Sequence, residues 1–524
     1  MEGLQSDENS QLHICLPFFV YHSISLKSLN FSDMKFYSAY LLIIIASLPI
    51  LTIDVAAQDK LLGKIDFPNS GAEEAQDNFI EGVKFLHNFE YADAARAFKR
   101  ARQIDPDFVM AHYGEAKSHN HPIWFQQDRQ AAMEVLNNLG ETVESRQSRA
   151  VTQREKDLLM SLEILYGNTP ESEDVSKEER DDLYMAYMAE LHEKYPGDHE
   201  ITAFYGLSIL GSAHEGRDFS IYMRAAAELF DVWNENPEHP GAAHYLIHSF
   251  DDPVHAPLGL PMAKAYSKIA PAAAHAQHMT SHIFLALGMW DGVIDANIVA
   301  RDVQTTRQKE LNEEPTVCGH YTWWLQYGYL QAGEVENATK VLKTCTERIK
   351  AEPSSSEKWH FAIMRGHQIV DTENWKRALE WTSDFEAGTR GAVNYFFTTA
   401  LASIKTGNRQ AAQESLDQLM KTPESVERDI QVDQIQSLLM IEEGNTREAL
   451  ELLNQAVVSE SELPLDFGPP VIIKPSYELL GDVMMEMGNY EEALDAYQNQ
   501  LERTPDRMRS LVGKEQALAM ISKQ

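Results

Sequence analysis

The chain has 524 residues, with 80 Asp and Glu against 45 Lys and Arg, and its formal net charge is −35. An acidic surface repels phosphate backbones and anionic headgroups, so we expect neither nucleic acid nor a membrane surface as a partner. Hydrophobic residues make up 44% of the sequence, which is typical of a folded soluble protein. The length exceeds what one compact core supports and favours several domains or an elongated repeat.

The N-terminal part has the pattern of a secretion signal. A short basic start at Met34 precedes an almost wholly apolar run at residues 41–53. Small residues then fit a signal-peptidase cut, so we expect a signal peptide at 34–57 and a mature start at Gln58. Residues 1–33 lack any repeat pattern and are interpreted as a non-native extension. The protein is therefore expected to be secreted or periplasmic, without stable membrane insertion after cleavage; an uncleaved membrane anchor is the alternative.

A motif of small and aromatic residues recurs along the chain. Its first copy comprises Gly82, Ala94, Phe98, Ala101 and Pro106. Spacings of four and three place Ala94, Phe98 and Ala101 on one helix face, and proline ends that helix. A clear C-terminal copy comprises Gly481, Gly488, Tyr490, Ala493, Tyr497 and Pro505. Weaker copies are marked by Gly288 with Trp290 and Ala300, Gly333 with Ala338, Asn374 and Trp375 with Ala378, Gly407 with Ala412, and Gly444 with Ala449.

This motif resembles the tetratricopeptide (TPR) consensus, in which small residues let paired helices approach closely. The resemblance implies an all-α fold of tandem helix–turn–helix units stacked into a right-handed solenoid. We expect a His-rich TPR-like solenoid at 58–410, continued by C-terminal TPR repeats at 411–524. Residues 137–196 are less regular, although 181–195 are predicted to form the second helix of a pair. The apolar stretch 469–473 is predicted to be a loop.

Cysteine is scarce, and only Cys318 and Cys345 belong to the expected mature chain. Two cysteines cannot build a thiolate zinc module. Both fall in one predicted helix pair, at ends that an antiparallel hairpin brings together. We therefore expect their Cα atoms to lie within the roughly 7 Å that a disulfide allows.

Four histidines occupy equivalent positions of two successive repeats. His244 and His248 are four residues apart, as are His278 and His282, so each pair shares a helix face. Each residue of the second pair follows its equivalent in the first by 34 residues, which is the TPR period. The resemblance implies that these positions face the concave groove. Because stacked helices lie about 8–10 Å apart, the four rings could share one metal ion.

Other polar residues are predicted to lie in the same groove as accessory groups. They are Glu115, His119, His121, Asp252, His255, His275, His320 and His367. Imidazole suits zinc or copper, and ligand type alone does not choose between them. No glutamate lies between His244 and His248, so the zinc-protease mechanism of the His-Glu-x-x-His motif is not supported.

Two functions fit these observations. The first is a secreted or periplasmic protein whose histidine-lined groove binds a transition metal, as a carrier or as a metalloenzyme with catalytic residues unassigned. The alternative is a non-catalytic scaffold whose groove binds a peptide or protein partner. Residues 75–410 also resemble an uncharacterised group of secreted bacterial TPR proteins, in which blocks like 119–124, 244–248 and 278–284 occur together. That resemblance implies a site here and no particular chemistry.

Overall fold

The computed structural model describes residues 61–465 and 467–524. The predicted extension at 1–33 and signal peptide at 34–57 lie outside the described residues. Within the described residues no helix is both long enough and apolar enough to cross a membrane.

The described chain contains 23 α-helices. The first eight are α1 (Gln76–His87), α2 (Tyr91–Ile104), α3 (Val109–Lys117), α4 (Arg129–Leu139), α5 (Val143–Arg149), α6 (Gln153–Leu165), α7 (Lys177–Lys194) and α8 (His199–Leu210). The next eight are α9 (Phe219–Glu235), α10 (Pro240–Phe250), α11 (Ala256–Ile269), α12 (Ala274–Ala286), α13 (Trp290–Glu310), α14 (His320–Gln331), α15 (Val335–Arg348) and α16 (Ser355–Thr372). The last seven are α17 (Ala392–Lys405), α18 (Arg409–Leu419), α19 (Val426–Glu442), α20 (Thr446–Glu462), α21 (Ser476–Met487), α22 (Tyr490–Arg503) and α23 (Met508–Ile521).

Successive helices pack on one another in sequence order, which makes the described chain an all-α helical-repeat solenoid, as predicted. The small residues of the motif allow close packing. A Cβ atom at Gly82 would lie 2.7 Å from the Phe98 ring, and one at Gly114 would lie 2.3 Å from it. One aromatic ring therefore fills the space that two glycines leave, and it locks α2 against both neighbours.

The less regular stretch is helical as well. The predicted second helix at 181–195 is confirmed by α7, which begins after a capping box formed by Ser176 and Glu179. A two-residue antiparallel hairpin, β1 (Asn120–His121) with β2 (Gln126–Gln127), lies between α3 and α4. The stretch 469–473 is a loop, as predicted.

The repeat predicted at Asn374 is incomplete. Only a 3₁₀ turn, Trp375–Leu379, follows α16, and the next helix begins at Ala392. The intervening segment, residues 380–391, forms no helix, although Trp381 and Phe385 pack against the core. The buried guanidinium of Arg365 instead donates to the Ala378 and Trp381 carbonyls at 3.0 and 2.7 Å.

The predicted proximity of Cys318 and Cys345 is confirmed. Their Cα atoms are 4.7 Å apart and the two residues form a disulfide. The bond ties the start of α14 to α15.

The chain also contacts itself over long sequence distances near the histidines. The turn after α1 packs against α10, where the His87 carbonyl accepts a hydrogen bond of 2.7 Å from His244 Nδ1. The amide of Ala272 donates to the Leu61 carbonyl at 3.0 Å. These contacts close α1 over the histidine-bearing helices, so the first repeat forms one wall of the site.

A buried ion network anchors the C-terminal helix. Arg507 donates to Glu478 at 2.8 Å, to Asp371 at 2.7 Å and to the Tyr327 hydroxyl at 3.1 Å. The side chains of Arg507, Asp371 and Glu478 are fully buried. The network therefore joins α14, α16, α21 and the start of α23.

We expect Arg507→Ala to lower the free energy of unfolding by about 3–5 kcal/mol, because it leaves the buried carboxylate of Asp371 without a cation, while Glu478 keeps only Lys474. Denaturant unfolding followed by circular dichroism measures the change. The matched control is Arg447→Ala, whose side chain is 81% exposed, and we expect it to stay within about 0.5 kcal/mol of the parent. Equal stabilities of the two variants would contradict this role for Arg507.

Candidate metal centre

Six histidines from α10, α12 and α14 meet in two groups of three. We call His244, His248 and His275 the first triad, and His278, His282 and His320 the second triad. Within each triad the potential ligand atoms lie within 4.8 Å of one another. The four histidines predicted to share one ion thus come together but are divided between the triads. Each triad is completed by a residue predicted as accessory, namely His275 or His320.

The register of the repeats explains why the rings meet. His244 and His248 are the fifth and ninth residues of α10, and His278 and His282 hold the same positions in α12. The two helices pack against each other as first helices of successive pairs. The triads therefore adjoin, with the ring centroids of His248 and His282 5.9 Å apart.

In the second triad, the protons of two rings are placed by their partners. Asn297 donates its amide to the Val293 carbonyl and Ser281 hydroxyl, so its oxygen accepts from His278 Nδ1 at 2.8 Å. Asp251 Oδ2 likewise accepts from His282 Nδ1 at 2.5 Å. In its neutral form, each of these two rings consequently has its lone pair on Nε2.

Those two lone pairs face each other. The Nε2 atoms of His278 and His282 are 3.1 Å apart, and His320 Nε2 lies 2.9 Å from the former. A proton on His320 can satisfy one of these contacts, but no arrangement of neutral rings places a proton between His278 and His282. Two nitrogens about 3 Å from His278 Nε2, with all three within 4.8 Å of one another, are close enough to surround an ion held by bonds of about 2 Å.

The first triad is arranged similarly. His244 donates from Nδ1 to the His87 carbonyl, which leaves its Nε2 facing His275 Nε2 at 3.2 Å. His248 is 3% exposed, and neither of its ring nitrogens has a hydrogen-bond partner among the described residues. Buried polar atoms are rarely left this way, so the first triad has unused ligand capacity.

Burial keeps four of the six rings neutral. Desolvation, strengthened by repulsion from neighbouring imidazoles, holds the pKa of four rings well below the usual histidine range. They are His244, His248, His275 and His278. A neutral imidazole is the form that binds a metal ion.

Aromatic side chains enclose the triads. Phe89 lies over the first triad, 4.2 Å from His244 between ring centroids, and Trp324 lies 4.4 Å from His282 in the second. The φ angle of Phe89 is +55°, in the left-handed region that Gly288 occupies in the corresponding turn of a later repeat. A bulky residue is strained there, and the strain is offset by a ring that seals the site.

An acidic corner adjoins the second triad. Asp251 binds His282, whereas the predicted Asp252 accepts from His255 Nδ1 at 3.0 Å. Arg217 approaches both carboxylates, at 4.0 and 3.4 Å. Asp252 and His255 are therefore paired with each other and are not members of a triad.

The remaining predicted accessory residues lie outside the triads. Glu115 forms an ion pair with Arg102. His119 lies in the turn after α3, and the ring of His121 stacks on Tyr91 at 3.9 Å. His367 is buried on α16, and its ring centroid is 4.9 Å from that of Tyr327.

A third cluster, in the described part of the chain, was not predicted from the sequence. Glu200 accepts from His87 Nε2 at 2.7 Å and from His239 Nε2 at 3.1 Å. His239 Nδ1 accepts from the Ala242 amide, so its proton is fixed on Nε2 and that nitrogen has no lone pair for a metal. This cluster satisfies itself and caps α10, the helix that presents the first triad.

Sequence reasoning also missed Asn297, Phe89 and Arg217. Asn297 lies on the second helix of its pair, where no repeat position marks it. The sequence did contain a signal for Phe89, because it occupies the turn position at which other repeats have glycine. Asp251 adjoins the predicted Asp252, and only side-chain direction distinguishes the two.

Comparisons with known proteins show similarity of fold alone, with low TM-scores. No protein-family model matches the chain, and no curated protein matches it. A monomeric mutant of IFIT1 with Gppp-AAAA is 14% identical over 86% of this chain and 100% of that one, with a TM-score of 0.36. The Cut9–Hcn1 hetero-tetramer of APC/C is 12% identical over 93% and 85%, with a TM-score of 0.34. Yeast Tom70 is 12% identical over 86% and 96%, with a TM-score of 0.33.

The burial of His367 can be tested through the pH dependence of the unfolding free energy. Desolvation lowers its pKa to about 3, so the folded protein keeps this ring neutral while the unfolded chain protonates it below about pH 6.5. Stability is therefore lost as the pH falls. As the pH falls from 7.5 to 4.5, we expect the unfolding free energy of His367→Gln to rise by about 3 kcal/mol relative to that of the parent protein. Urea titrations across this range measure it, and a pH-independent difference would refute the expectation.

Proposed function

We propose that the protein binds a transition metal, copper or zinc, in the histidine cluster between α10, α12 and α14. The observation that carries the proposal is the 3.1 Å approach of His278 Nε2 to His282 Nε2, while the Nδ1 atom of each ring is bonded to an oxygen acceptor. A cation between the two lone pairs turns a repulsion into two bonds.

The surroundings fit a metal-ligand role. The Nδ1 atoms of His244, His278 and His282 bond to a carbonyl, an amide oxygen and a carboxylate, which are the outer partners that orient metal-binding imidazoles. Neither triad contains a carboxylate. An all-nitrogen site favours copper and zinc over magnesium and calcium, which prefer oxygen.

Three further features support the proposal. The disulfide between Cys318 and Cys345 suits an oxidising compartment, in keeping with the proposed signal peptide. The net charge of −35 attracts cations to the surface. His320 is exposed and offers an entrance to the buried rings.

Peptide or protein binding remains the alternative, because helical-repeat surfaces commonly serve as interaction platforms. The loop after α20 already covers part of the face beside the second triad. Phe467 lies 4.6 Å from the Arg217 guanidinium, and a Cβ atom at Gly468 would lie 2.4 Å from Trp324. A peptide on this face would have to displace that loop, which favours the metal proposal.

The metal proposal predicts a stoichiometric metal in protein purified without an affinity tag. We expect the double variant His248→Ala/His282→Ala to lose it and keep its helicity, because the apolar repeat positions carry the fold. Elemental analysis and circular dichroism measure the two properties. The control is His192→Ala/His199→Ala, on rings paired with surface carboxylates, which should keep the full metal content. A metal-free parent protein with intact helicity would favour the scaffold instead.

The groups that accept hydrogen bonds from the Nδ1 atoms give a second prediction. We expect Asp251→Asn to weaken metal affinity about 10–100-fold, because the carboxylate orients His282 and raises the basicity of its Nε2. Competition with a chromogenic chelator measures the affinity. Asp231→Asn, an exposed change on α9, should leave it unchanged. Unaltered affinity in Asp251→Asn would remove Asp251 from the site.

A further inference from the structure

We propose that each triad holds its own copper ion, so that the cluster is a dinuclear centre with three imidazoles per ion. This inference rests on the proposed function, which requires only one ion.

The unpaired ring of His248 is the first support. An ion in the second triad relieves the contact between His278 and His282 but leaves both nitrogens of His248 without a partner. His248 is buried beneath Phe89, at 5.8 Å between ring centroids, and its ring is 4.9 Å from His244. An ion bound with His244 and His275 gives it the partner it lacks.

The grouping of the rings is the second support. Neighbouring centroids within the triads are 4.6–5.0 Å apart, as measured for His244 with His248 and His275 and for His278 with His282 and His320. Across the boundary, the His248–His282 and His275–His278 separations are 5.9 and 6.0 Å. The six rings therefore form two sets of three.

Charge favours copper in its monovalent form. Neither triad contributes a carboxylate, and Asp251, which binds His282, lies 4.0 Å from the Arg217 guanidinium. At the same separation two divalent ions repel about four times as strongly as two monovalent ions. The two triads can thus fill together with copper(I), whereas a first zinc ion opposes a second. A pair of copper ions can exchange two electrons, which one ion cannot.

The test is anaerobic titration of the full chain with copper(I), in competition with bicinchoninate, after removal of any metal. We expect two equivalents per chain for the parent protein. His275→Ala removes a ligand of the first triad and His320→Ala removes one of the second, so each variant should bind one equivalent. The matched control His199→Ala, on a ring paired with Glu235, should bind two. Circular dichroism checks that every variant keeps its helices.

The outcomes separate the two proposals. A parent protein that binds one equivalent overturns the dinuclear centre and leaves the proposed function standing, while one that binds none overturns both. Two equivalents in His275→Ala would reject the assignment of the first triad. Zinc under the same conditions should bind at one equivalent, and two tightly bound zinc ions would overturn the charge argument for copper(I).

Discussion

The packing of α10 against α12 is the contact on which the candidate site depends. Two first helices of successive pairs lie side by side in a fixed register, so residues 34 apart become neighbours in space. Elsewhere in the repeat, small residues facing an aromatic ring let helices approach closely, as Gly82 and Gly114 do around Phe98. In such a solenoid, residues at equivalent repeat positions become neighbours, and here they form a buried cluster.

Because the histidine cluster is buried, its ring nitrogens need partners within the protein. Polar rings in a core lose their hydration and must find hydrogen-bond partners. The Nδ1 atoms of His244, His278 and His282 accordingly bond to protein oxygens. The Nε2 atoms are aimed at one another and lack such partners. His87, Glu200 and His239 show the contrasting solution, in which a carboxylate accepts from both rings and no ligand capacity is left.

The position of one proton therefore separates a structural histidine from a potential ligand. His239 accepts a backbone amide at Nδ1 and keeps its proton on Nε2, whereas His278 donates from Nδ1 to Asn297 and exposes its Nε2 lone pair. Both rings are buried histidines in first helices or at their caps. Residue type and burial alone do not distinguish them, but the hydrogen-bond partner does.

The sequence by itself determined the helical-repeat fold, the pairing of Cys318 with Cys345, and which faces of α10 and α12 carry histidine, because each follows from spacing along a regular helix. Only the tertiary structure decided that the rings divide into two triads, that Asp251 rather than Asp252 binds His282, and that α1 closes over them. It also decided that no second helix forms after Asn374. These features depend on side-chain direction and on contacts between distant segments, such as that of His87 with His244, which local periodicity does not encode.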